Sequence, residues 1–161
     1  MPEIESLDVT VYTVPTVEPE SDGTLTWDAT TVVVAQPRAG GMTGLGFSYA
    51  TGACGRLIDD ALADAVVGMD AMDVGRCWSA MVRAIRNLGR PGVASMAIAA
   101  VDIALWDLKA KLLDLPLARM LGQVNDDVAV YGSGGFTSLT DDQLTAQLGG
   151  WVHDNGIPAS R

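Results

Sequence analysis

The sequence predicts an α+β fold: a three-stranded antiparallel meander, then a helical bundle, with one βα unit attached after it. Three observations predict this. Residues Ile4–Tyr49 hold alternating segments rich in Val, Thr and Tyr with short turn-rich links. Residues Ala53–Leu121 carry apolar side chains at spacings of three and four. After Gly122 the pattern returns to a short apolar run, a glycine turn and a capped helix.

The first strand is expected over Ile4–Val14. Pro15–Thr26, with its Pro, Glu, Ser, Asp and Gly, reads as an irregular loop. Trp27–Gln36 is the second strand, and Arg38-Ala39-Gly40-Gly41 the hairpin turn, where glycine accepts positive φ without steric cost. Met42–Tyr49 is the third strand. A first helix is expected from about Cys54 to Val67 and stops at Gly68. A second runs from about Val74 to Leu88 and stops at Gly89-Arg90-Pro91-Gly92. The third spans about Val93–Asp114. On it Ile98, Val101, Leu105, Leu108 and Leu112 form one apolar stripe, and Ala94, Ala97, Ala100 and Ala104 form a small-residue face that admits a close neighbour. Ile103 and Trp106 widen the apolar surface, so this helix is expected to be buried on most sides. Pro116–Leu121 adds a turn capped by Gly122. Val128–Tyr131 is expected as a short strand, followed by the Gly132-Ser133-Gly134-Gly135 connection. Thr140-Asp141-Asp142-Gln143 fits a capping box ahead of a helix to about Val152, stopped by Asn155-Gly156.

The chain has 161 residues, 48% hydrophobic and 19% charged, which suits a folded domain with some length to spare. Its net charge of −10 and scattered basic residues argue against a nucleic-acid partner. The start, Met1-Pro2-Glu3-Ile4-Glu5, shows no signal peptide. The longest apolar region, Met96–Leu108, is interrupted by Asp102 and Asp107, so no membrane partner is expected either. Cytoplasmic residence is the resulting expectation, with Cys54 and Cys77 as free thiols.

Candidate chemistry is sparse. His153, the single histidine, lies at a helix end with no orienting partner. Asp102 falls near the apolar stripe and Lys109, whereas Asp107 and Lys111 make an i,i+4 pair. Asp59-Asp60, Asp126-Asp127 and Asp141-Asp142 diverge or cap helices, so no metal site is assigned. The Gly132–Gly135 run lacks both phosphate-loop spacings and reads as a strand-to-helix turn.

One segment is specific: Ala97-Ile98-Ala99-Ala100-Val101-Asp102-Ile103-Ala104-Leu105-Trp106-Asp107-Leu108-Lys109-Ala110-Lys111, continuing to Pro116-Leu117-Ala118-Arg119-Met120-Leu121-Gly122. It resembles the characteristic helix of the mandelate racemase/muconate lactonizing enzyme family of the enolase superfamily, departing only at Met120, where the family usually has Leu. The three strands and following helices resemble that family's N-terminal capping domain (1–122), and Val128–Gly135 resembles the first strand of its barrel domain (123–161). The resemblance runs from Ile4 to Pro158. It implies Mg²⁺-dependent abstraction of the proton α to a carboxylate, with the metal stabilising the enediolate. The enzyme would be a lyase or isomerase: an acid-sugar dehydratase, racemase or cycloisomerase. It also implies substrate-facing roles for Trp27, Tyr49 and Ser133. In the family a Lys-x-Lys pair on the second barrel strand supplies the base, and later strands supply the metal ligands. Here Ala159-Ser160-Arg161 follows Pro158 instead. No catalytic or metal-binding residue is therefore carried over, and the chain is expected to be a truncated, inactive front part that binds no cofactor. A non-enzymatic interaction or oligomerisation module, assembling as a homo-oligomer, is the alternative.

Overall fold

The computed structural model describes residues 2–157. The ending Pro158–Arg161, on which the truncation expectation rests, lies outside the described residues. The chain divides into two compact units, one of Met1–Val14 with Thr31–Gln123 and one of Pro15–Thr30 with the residues from Val124 onward. Strands β1 (Ser6–Ser21) and β2 (Thr26–Ala39) run through both.

In the first unit the sheet order is β1-β2-β3, with β3 at Met42–Thr43, and β4 (Gly46–Tyr49) also pairs with β2. The register is antiparallel: Val34 faces Phe47 and Val32 faces Tyr49. Alternation then decides what is buried. Val33 and Ala35 are fully buried, while Phe47 and Tyr49 are exposed on the opposite face. The expected single third strand is broken, because the Leu45 N–H turns from the sheet and donates to Asp107 Oδ2 at 2.8 Å.

The helical layer follows the predicted order. α1 (Gly52–Leu57) passes through a wider π turn, Ile58–Leu62, into α2 (Ala63–Val66), replacing the expected regular helix. Ile58, Leu62 and Val66 are all fully buried. α3 spans Val74–Ala84, capped by the Asp73 side chain on the Arg76 N–H. α4 (Val93–Leu112) buries Val101, Leu105 and Leu108 and its alanine face. Ile103 and Met96 remain exposed, so α4 is covered on fewer sides than expected. The alanine face does what its size allows. A side chain on Gly44 or Gly46 would overlap the α4 backbone at Ala104 or Ala100, so only glycine lets the chain pass this close. α5 is the short turn Leu117–Met120. Residues 2–4 tie down the loop after α2: Ile4 N–H donates to Met69 O at 2.8 Å and Gly68 N–H to Ile4 O at 2.8 Å.

The second unit starts with a correction. Pro15–Thr26 is not an irregular loop, because β1 continues to Ser21 and β2 begins at Thr26. Proline lacks a ladder donor but is tolerated on an edge strand, and β1 is an edge of this sheet. The tip is fixed by the Asp22 carboxylate, which accepts from Thr24 N–H at 2.9 Å, Leu25 N–H at 3.0 Å and Thr24 Oγ1 at 2.6 Å. These bonds, the Thr24 hydroxyl first, hold its pKa down to about 2.

The expected strand Val128–Tyr131 does not form a ladder; only Gly132 makes a bridge. A strand of a parallel sheet is stabilised by neighbours on its edges, and none pairs with these residues among those described. Val124 and Val128 are accordingly 91% and 82% exposed. α6 (Asp141–His153) carries the predicted capping box: Gln143 N–H donates to Thr140 Oγ1, and Thr140 N–H to Gln143 Oε1.

Candidate functional site

The hairpin tip and the start of α6 border a cleft of about 300 Å³ within the second unit. Val17, Pro19, Phe136, Leu139 and Ala146 make its apolar surface, and Glu18, Glu20, Gln143 and Gln147 its polar one. The polar groups are oriented by one another. Trp27 Nε1 donates to Glu20 Oε2 at 2.7 Å, and Gln143 Nε2 donates to Glu18 Oε2 at 2.9 Å. The half-buried Trp27 ring meets Phe136 edge-on, with centroids 5.5 Å apart. Among the described residues no cationic side chain lines the cleft. Chemically it offers carboxylate and amide acceptors beside an apolar surface, which suits hydroxyl donors and repels a carboxylate.

Of the three substrate-facing candidates, Trp27 sits against this cleft through Glu20 and Phe136. Ser133 is exposed in the glycine turn, three residues before Phe136. Tyr49 belongs to the first unit and is 71% exposed at the end of β4. The sequence reading missed Glu18, Glu20 and Phe136, whose roles depend on hairpin register rather than local spacing. As an anion cradle the glycine turn is already partly used, because Gly135 N–H donates to Gln147 Oε1 at 3.0 Å.

The remaining candidates are structural. Asp107 pairs with Lys111 at 2.7 Å, and Lys111 Nζ also donates to Thr43 O at 2.9 Å. Lys109 lies over the Trp106 ring at 5.2 Å instead of beside Asp102 as expected. On α4, Lys111 is thus committed to β3 and Lys109 to the Trp106 ring of its own helix. Asp102 is half-buried, and burial raises its pKa. His153 is exposed in the last turn of α6.

A family model for the mandelate racemase/muconate lactonizing enzyme N-terminal domain matches residues 6–122. The chain belongs to the mandelate racemase/muconate lactonizing enzyme family. A mandelate racemase/muconate lactonizing enzyme-like protein from Rubrobacter xylanophilus is 52% identical with a TM-score of 0.94, over 99% of this chain and 44% of that one. A magnesium-bound racemase from Streptomyces coelicolor is 30% identical with a TM-score of 0.87, over 92% of this chain and 43% of that one. The L-talarate/galactarate dehydratase of Salmonella typhimurium is 40% identical over 118 residues, covering 70% of this chain and 30% of the enzyme. The chain therefore spans less than half the length of these relatives.

Magnesium in this family calls for converging carboxylates. Among the described residues no three of His, Cys, Asp and Glu converge on one point. Among the described residues the donor set does not fit a metal centre of its own. No helix among the described residues is long and apolar enough to cross a membrane.

Proposed function

We propose that these residues form the capping domain and first barrel segment of a Mg²⁺-dependent acid-sugar dehydratase. The observation that carries this reading is the 40% identity to L-talarate/galactarate dehydratase across 118 residues. In this reading the hairpin-tip cleft, Trp27 and Ser133 help to enclose the substrate, and Tyr49 of the first unit is proposed on its own as a substrate-facing side chain. Glu18 and Glu20 meet its hydroxyls, and the carboxylate at the reacting end binds elsewhere. The base and metal ligands come from barrel strands beyond this sequence, since both lysines are held on α4 and no acidic cluster is present among the described residues. The 161 residues alone are then inactive.

The test joins these residues to the remaining barrel of the Rubrobacter xylanophilus relative and assays galactarate with Mg²⁺ in D₂O by NMR. The fusion should dehydrate galactarate, and the 161-residue chain should leave the α-hydrogen in place. Exchange by the chain alone refutes the inactivity. A folded fusion without activity on any acid sugar refutes the substrate class.

A further inference from the structure

The turn Gly132–Thr137 is gripped from two sides. On one side stands α6. The Trp151 ring fills the space that side chains on Gly132 and Gly134 would need, and Gln147 Oε1 accepts the Gly135 N–H at 3.0 Å. On the other side stands the hairpin tip. Thr137 N–H donates to Ser21 O at 2.8 Å, and Thr137 Oγ1 donates to the same oxygen at 3.0 Å. Trp27 meets Phe136 on this side as well. The third edge closes directly between tip and α6 through Gln143 and Glu18.

Tip, turn and α6 therefore support one another in a triangle, with each corner held by the other two. We infer that the hairpin tip and the glycine turn are energetically coupled and lose their local structure together, with Trp151 as a positioning residue for the distant tip. A group held by two partners loses protection when either is removed, so the coupling must be reciprocal. This holds whatever the cleft binds. One consequence does rest on the substrate reading: residue changes at Trp27 and Ser133 would then act non-additively on ligand preference.

The experiment is residue-resolved amide exchange by NMR on the full chain. Trp27→Ala should speed exchange of the Gly135 amide, on the α6 side, by about tenfold or more. Trp151→Ala should do the same to the Leu25 amide in the tip. The amides of Leu105 and Leu108 on α4 should keep their rates, and Trp151→Phe should restore most of the Leu25 protection. Acceleration confined to the mutated side overturns the inference, and so does a Gly135 amide unprotected in the parent. If Trp151→Ala speeds α4 exchange too, Gln147→Ala decides by the same criterion at Leu25. None of these outcomes alters the galactarate assay, so the two readings fail separately.

Discussion

Asp102 and Asp107 lie on one helix with opposite fates. Asp107 has two uses: it pairs with Lys111, and it accepts from Leu45, which interrupts the chain between β3 and β4. Asp102 is half-buried beside Ile98, Trp78 and Arg90 around a shallow hollow, and its pKa is raised by loss of water. The folded state therefore holds the proton more tightly than the unfolded chain. The cost of the charged form is absent below the ordinary value of 3.8 and appears as pH rises through the folded value. Asp102→Asn should raise Tm at pH 7 and leave it unchanged near pH 3, as read by paired thermal melts. An equal shift at both pH values would assign the effect to packing instead. The Asp107–Lys111 pair was legible in the sequence because i,i+4 contacts are local. Asp107's bond to Leu45 was not, because 62 positions separate them. The Glu20–Trp27 bond was hidden in the same way, by a hairpin whose register no composition rule reveals.

At the level of elements, α4 was the clearest reading, since its apolar stripe and alanine face each declare a neighbour. The structure supplies that neighbour as Gly44 and Gly46, which the sequence marked only as glycines within a strand. Gly46→Ala places a methyl against the Ala104 N–H at 2.5 Å and into the Ala100 carbonyl. Backbone cannot step aside as a flexible side chain does, so the variant should lose about 1–3 kcal/mol or more in chemical denaturation. A loss below a few tenths would mean that β4 does not pack as described. The extended hairpin was misread because Pro15 and Pro19 suggest a loop, and only the edge position of β1 makes them harmless. Val128–Tyr131 was misread for the opposite reason. Its composition fits a strand, but strands form in pairs, and composition says nothing about whether a partner is in reach.

At the scale of the whole chain, the core cluster from Ile4 to Leu108 belongs to the first unit, and no charge is buried among the described residues. Both cysteines lie within it. Burial pushes both thiols up, Cys77 to about 11 with Asp73 and Asp70 adding repulsion. Native protein at pH 8 should therefore resist Ellman's reagent, and both thiols should react at the free rate once denaturant unfolds the core. Rapid labelling of either in native buffer would contradict that burial. The fold class was readable because burial follows periodicity; the second unit was less so because its contacts link Pro15–Thr30 with residues more than a hundred positions away. The interruption between β3 and β4 has a further effect. A margin of two residues, a kink and four more gives an incoming strand no long straight row of free peptide groups to zip onto. The carboxylate that diverts Leu45 therefore also guards this side of the sheet against sticking to its own kind.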